Sequence, residues 1–452
     1  TPEGLNGDKS TNFSRLGQIW SKPTAAKIRL TKGSETKKNT EATDVLIFGG
    51  GYDMSYEDAE YLPTASKPAQ GNAIYMINAK TGELIWSASK SDNENMIHSF
   101  TGEITVLDRD NDGLMDHLYA ADLGGQVFRA DFENARIEQF GFEAVSKFGN
   151  KGITRILQPN SNDKYAYRFY NRPVVSFYRS EGGVNNGKIF ALVNVISGNR
   201  SSPLSTLRDN NKYANRIYGI IDSDVTSNDL YKNGFKASIT ELKDSDLVNL
   251  ADKLGARPNE KKKTTTKNLM ITGDKKGWYY PLTRFDGYNN VRYNKGVGGM
   301  TAINNILYTT VYNPDKLYGT VSSCAARIMG GSERQLYCLP YGICMDETSI
   351  TGTGGFIPAG QGIQELTLGA YNADNKDVKV LIGTTTITER IKAANRAGYN
   401  EDSFKNDSNI KDLYPGTGSP TFVGGDGSAT EFLFNERYTL QPKAWYQQRT
   451  GE

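Results

Sequence analysis

Histidine is nearly absent from this chain, with only His98 and His117 in 452 residues. Cysteine is almost as scarce at three, and tryptophan at four. No apolar run approaches the roughly 20 residues that a bilayer-spanning helix needs. Neither sign of charge prevails: 53 Lys and Arg face 51 Asp and Glu, a net +2. Composition therefore points neither to nucleic acid nor to an acidic partner. Cys324, Cys338 and Cys344 lie in one short region, and both histidines are far from it in sequence. That argues against zinc and suits one local disulfide plus one leftover thiol in an oxidising compartment, the pairing left open. Asp116 and His117 are neighbours, but successive strand residues face opposite ways, so His117 is expected to be structural rather than half of a catalytic dyad. No other catalytic constellation stands out. The sequence begins at Thr1 with no signal peptide visible in it, and the chain is expected to be a fragment of a longer one.

Glycine and β-forming residues are plentiful, with 47 Gly and 26 Tyr, and 37% of the chain is hydrophobic. That is enough for a sizeable core. Residues 1–40 are polar and read as an arm or a leading strand. Asp44–Phe48 is a short apolar strand ending in Gly49-Gly50-Gly51. No helix follows these glycines, which argues against a dinucleotide site. Ala73–Asn78 and Glu83–Ser87 form a hairpin around Lys80-Thr81-Gly82. Strands are expected at 103–107, 117–121 and 126–131, and then at 173–178, 188–195, 216–222, 268–272, 277–282, 306–311, 335–339, 365–368 and 378–383. Short strands between glycine turns, without strand–helix alternation, predict an all-β fold closed as an irregular β-propeller with long loops. Two small helical insertions are expected. Leu247, Leu250, Ala251 and Leu254 recur at helical spacing before Gly255, and Ile387, Ile391 and Ala394 do so before Gly398. Lys261–Thr266 reads as a solvated loop. Residues 399–430 read as a long loop, and Glu431–Phe434 with Arg437–Leu440 as a closing strand pair. The domain reading is an arm over 1–40 and one propeller over 41–452.

One stretch carries chemistry. In Asp108-Arg109-Asp110-Asn111-Asp112-Gly113-Leu114-Met115-Asp116, aspartates occupy positions 1, 3, 5 and 9, and glycine occupies position 6. Four carboxylates this close repel unless a cation lies among them. Hard oxygen donors suit Ca²⁺, and Gly113 permits the sharp turn around it. The expected ligands are Asp108, Asp110, Asp112 and Asp116 through their side chains and Leu114 through its carbonyl. Position 12 is Tyr119 rather than a bidentate Glu, and both flanks read as strands. The loop should therefore close a β-hairpin rather than link two helices.

Taken in order, these features resemble the C-terminal domain of the PilC/PilY family of type IV pilus biogenesis and tip proteins. The likeness rests on Leu46–Asp53, Asn72–Ile77 with Thr81-Gly82, the acidic loop continuing through Leu118–Arg129, and Gly277-Trp278-Tyr279 followed by Leu307–Thr310 and Cys324. It covers most of 40–385. The resemblance implies a modified propeller with a single calcium loop, lacking enzymatic activity and exported to the outer membrane, cell surface and pilus tip. It implies contact with major or minor pilins, opposition to pilus retraction and hence control of twitching, and in several members adhesion to a host-cell receptor, with a part in virulence. The N-terminal half of such proteins often carries a von Willebrand A-like module. No Arg-Gly-Asp triplet occurs here, so the integrin binding described for some members is not expected.

A reading from another class is a quinone-dependent propeller dehydrogenase, because Leu84-Ile85-Trp86 resembles a blade ending of those calcium-using enzymes. The four tryptophans share no common frame, however, and no adjacent cysteine pair occurs. A loop that surrounds its ion with protein oxygens also leaves little open coordination for a quinone.

Overall fold

The computed structural model describes residues 13–31, 42–138, 144–159, 166–183, 186–209, 212–226, 230, 241–255, 258–285, 291–303, 305–317, 329–345, 357–372, 377–382, 421–423 and 429–432. Strands dominate. The first sheet is a meander of β1 (Thr24–Ile28), β2 (Thr43–Gly49), β3 (Ile74–Asn78) and β4 (Leu84–Ala88). The second has the same order: β5 (Thr105–Leu107), β6 (His117–Ala121), β7 (Val127–Glu133) and β8 (Gly149–Leu157). The third joins β9 (Val174–Arg179), β10 (Ile189–Ile196) and β11 (Arg216–Asp222) to β13 (Gly277–Pro281), with β12 (Val248–Asn249) parallel at its edge. A small ribbon of β14 (Thr283–Phe285) and β15 (Val291–Tyr293) leads into the fourth sheet. That sheet comprises β16 (Met300–Ile303), β17 (Ile306–Leu317), β18 (Met329–Cys338) and β19 (Ile357–Gln361). A further sheet pairs β20 (Leu366–Asn372), β21 (Asp377–Ile382), β22 (Thr421–Val423) and β23 (Ala429–Phe432) in the order β20-β21-β23-β22.

The apolar faces show how the first four sheets stack. Ile47, Ile74 and Met76 of the first pack with Leu118, Phe128 and Phe132 of the second. Tyr119, Val127 and Leu157 of the second pack with Val193, Tyr218 and Ile220 of the third. Leu192, Ile217 and Trp278 of the third pack with Leu307, Val311 and Tyr337 of the fourth. Sheets adjacent in chain order thus share apolar faces, which is the blade arrangement of a modified β-propeller. Many large aromatics are spent here: Tyr52, Tyr75, Tyr119, Tyr218, Tyr337, Phe100 and Phe128 are fully buried.

The glycine run at the end of β2 has a packing cause. A Cβ on Gly49 would lie 2.3 Å from the Phe100 carbonyl oxygen, and one on Gly50 would lie 2.7 Å from that of Gly71. Gly71, at φ +79°, faces the Gly51 carbonyl just as closely. Backbones cross here at a distance no side chain allows.

The expected strands recur at their places, with three corrections, one being that β22 and the start of β23 lie within 399–430, expected as a loop. The helix before Gly255 is present as α1 (Leu250–Leu254), capped at its start by the Asn249 side chain and closed by Gly255 at φ 69°. Residues 261–266, expected as a loop, and 268–272, expected as a strand, instead belong to one helix, α2 (Glu260–Ile271), with Thr272 as its C-cap. The Asn259 side chain accepts from Lys262 N at 2.9 Å to start it. Its buried side is made by Lys263, Thr266 and Met270. That stripe is polar by composition and covers its neighbours with lysine methylenes, so apolar periodicity did not reveal it. Cys338 and Cys344 form the local disulfide, Cα atoms 4.9 Å apart. Cys324, the helix expected before Gly398 and the strand expected at 437–440 lie outside the described residues. Among the described residues no helix is long and apolar enough to cross a membrane.

Candidate metal centre

The acidic loop joins β5 to β6, whose register pairs Leu107 with His117. Asp116 N donates to Leu107 O at 2.8 Å, which closes the hairpin below the loop. Asn111 at φ 60° and Gly113 at φ 87° take the left-handed backbone that folds the tip back on itself. Carboxylates then accept from the loop's own amides. Asp108 receives Asp112 N at 3.1 Å and Gly113 N at 2.8 Å. Asp116 Oδ2 receives Arg109 N at 2.9 Å, and Asp112 Oδ1 receives Leu114 N at 2.9 Å.

Oxygens of Asp108, Asp110 and Asp116 come within 4.8 Å of one another. Asp108 and Asp110 are exposed, whereas Asp116 is buried at 7% exposure. Burial, with Asp110 and Asp112 nearby, pushes the Asp116 carboxyl up to about 7. Asp112 is raised by burial and by its acidic neighbours as well. A cation among these oxygens would relieve that cost. The donor set is all oxygen, as Ca²⁺ prefers. Of the residues expected as ligands, the structure brings together three. Asp112 stands beside them, its carboxylate engaged by Leu114 N, and Leu114 roots the loop with a buried side chain.

The loop is tethered behind. Met115 N donates to Lys27 O at 2.8 Å. Asn134 Nδ2 donates to Met115 O at 2.9 Å, while its Oδ1 accepts Arg29 N at 2.9 Å. The acidic tip thus rests on the end of β1.

His117 does not pair with Asp116. It faces its cross-strand partner Asp131, with Nδ1 2.8 Å from Oδ1. Its Nε2 is buried without a hydrogen-bond partner, and burial holds the imidazole below its usual range. Asp131 opens a buried web that sequence reading missed. Arg129 Nε meets Asp131 Oδ1 at 2.9 Å, its Nη1 meets Asp222 Oδ2 at 2.9 Å, and its Nη2 meets Asp224 Oδ2 at 2.8 Å. Tyr119 Oη donates to Asp222 Oδ2 at 2.7 Å. Burial alone would raise Asp131, but the hydrogen bond from His117 and the Arg129 guanidinium outweigh it and hold that carboxyl down. The web ties the second sheet to the third. The signal for it was two charged residues at period two, Arg129 and Asp131, among the apolar residues of Val127–Phe132. Trp86, whose strand ending resembled a quinoprotein blade, packs edge-on against Phe132 at 4.9 Å and serves the core.

No family model matches the chain. A curated relative from Xylella fastidiosa (strain Temecula1), named a type IV pilus biogenesis factor PilY1 homolog, is 28% identical over 194 residues. The match covers 39% of this chain and 11% of that relative. A solved structure, the Pseudomonas aeruginosa PilY1 C-terminal domain, aligns over 81% of this chain and 70% of its own at 14% identity and a TM-score of 0.49. Over those 194 residues the chain is similar to a PilY1 homolog, of whose length it spans about a tenth.

Proposed function

We propose that this chain is the calcium-binding C-terminal domain of a type IV pilus biogenesis factor, acting as a non-enzymatic regulator and adhesin. The observation that carries the metal reading is the convergence of Asp108, Asp110 and Asp116 on one hairpin tip. Asp112 and the Leu114 carbonyl complete the proposed ligand set. The likeness to a PilY1 homolog supports the pilus assignment and, with it, an exported location at the cell surface and pilus tip. The partners on this reading are pilins and a host-cell receptor. Residues 1–40 serve as a leading arm, of which Thr24–Ile28 pairs onto the first sheet, and 41–452 as one propeller domain.

Calcium orders the tip by cancelling carboxylate repulsion, and thereby fixes the surface that the loop shares with the end of β1. Affinity should fall between about 10⁻⁷ and 10⁻³ M, the span from calcium sensors to extracellular modules. Asp110→Ala removes an exposed ligand without disturbing the core. Isothermal titration should show saturable calcium binding in the parent chain and none in the variant, with circular dichroism unchanged. Equal affinity in both would overturn the ligand set. In cells, pilus retraction indifferent to the same substitution would overturn the regulatory part alone.

A further inference from the structure

Away from the acidic loop, connections from four sheets meet around a cavity of about 30 Å³. Ala59 comes from the β2–β3 connection, Arg168 from β8–β9, Asn199, Ser205, Leu207, Arg208 and Asn215 from β10–β11, and Lys295 from the entry to β16. Three of these side chains are cationic, and all three are buried: Arg168 at 4% exposure, Arg208 at 8% and Lys295 at 2%. Buried cations are ordinarily matched by carboxylates. Arg168 is met by neutral groups alone, and Lys295 by a carbonyl and a carboxylate. Arg168 donates to the carbonyls of Tyr56, Asp58 and Ala59 at 2.9–3.1 Å. Arg208 donates to Tyr213 O at 2.9 Å and lies over the Tyr167 ring. Lys295 donates to Ser205 O, and the carboxylate of Asp209 stands 3.6 Å away. Two amides face the same space with their oxygens already engaged. Asn199 Oδ1 accepts from Arg168 and from Ser202 N, each at 3.2 Å, and Asn215 Oδ1 accepts from Ser197 at 3.2 Å. Their NH₂ groups are what remains for a guest.

We infer that this cavity binds a small oxyanion: a single carboxylate, phosphate or sulfate group. Fixed cations and amide donors around a confined space favour an oxyanion over water, and the volume suits about two waters or one such group. Burial lowers the Lys295 ammonium against the pull of Asp209, and an anionic guest would favour its charged form. Because the lining comes from four sheets, a bound anion would join their loops at one point.

The test uses the whole chain with no calcium added, since phosphate and sulfate would sequester it. Thermal unfolding is followed against phosphate, sulfate and acetate, each titrated at constant ionic strength with chloride as the control. The midpoint should rise with the logarithm of at least one oxyanion's concentration and stay flat in chloride. Which anion acts separates an inorganic oxyanion site from a carboxylate site. Asn199→Asp keeps the oxygen that Arg168, Tyr170 and Ser202 use while adding a charge to the cavity. Apparent affinity should fall at least tenfold in that variant. Should Asn199→Asp not fold, Arg208→Gln is read in its place with the same expectation. A flat parent response to all three anions, or an unchanged response in the variant that folds, overturns the assignment.

Discussion

Arg129→Met takes the guanidinium out of a site that holds three carboxylates. Arg129 is fully buried and makes hydrogen bonds to Asp131, Asp222 and Asp224 at 2.8–3.1 Å. With methionine there, Asp131 keeps His117, Asp222 keeps Tyr119 and two backbone amides, and all three carboxylates face one another without a cation of that strength. Removing one partner of a buried ionic group costs about 3–5 kcal/mol, because the abandoned charges stay desolvated. A domain's whole stability is about 5–15 kcal/mol, so this loss should be plain in urea unfolding at neutral pH as a lower midpoint at unchanged slope. The size of the effect comes from stranded charge rather than lost packing. Adding Asp222→Asn and Asp224→Asn to Arg129→Met should therefore recover about half of it. A single variant within about 1 kcal/mol of the parent, or a triple variant worse than the single, would refute this account of what joins the second and third sheets.

Two further outcomes follow from the packing. Gly71→Ala puts a methyl against the Gly51 carbonyl at a backbone φ of +79°, so strain and overpacking together should cost about 2–4 kcal/mol by the same urea measurement. A loss below about 1 kcal/mol would mean that the glycine crossing is loose. His98 is buried, paired with Tyr56 Oη at 3.0 Å, and lowered to about 4 chiefly by burial. Its unfolded form takes up a proton near pH 6.5 while the folded form resists until about pH 4. Its contribution is therefore complete above pH 6.5 and drains away on acidification toward pH 4, by about 3 kcal/mol. The stability difference between the parent and His98→Gln should shift by about that much across the window, and a pH-independent difference would show that His98 titrates normally.

The acidic loop was legible because carboxylates that converge within one short segment are set by local spacing, here that of Asp108, Asp110, Asp112 and Asp116. The strands were legible where β-branched and aromatic residues run between glycines, as at Arg216–Asp222. What escaped was made by distance along the chain. Asp222 and Asp224 meet Arg129 across 93 and 95 residues. Gly49 to Gly51 showed as a run, but its reason is the backbone of Gly71 and Phe100 passing close by. Helix α2 escaped for another cause. Its buried side is lysine and threonine as much as methionine, so the contrast that marks an amphipathic helix is missing. The cysteine pair was narrowed to a region and no further, since three thiols so close in sequence allow three pairings.

One covalent step separates the acidic loop from the buried web. Asp116 belongs to the first, and His117, locked to Asp131, belongs to the second. Asp116 is also held through its main chain on both sides, its N–H on Leu107 and its carbonyl under Phe132 N. A close-packed interior with satisfied ladders does not pass on small displacements smoothly, so loosening of the loop should stop at Asp116 rather than travel into the interface between sheets. The other exit is short and lies toward the surface. Met115 holds Lys27, and Asn134 holds Arg29, the basic stretch at the end of β1. On the proposed reading, then, calcium acts through a local surface made of the loop rim and that basic edge. A pilin or receptor that senses the metal would have to touch this surface, because the blades beneath it are built to stay as they are.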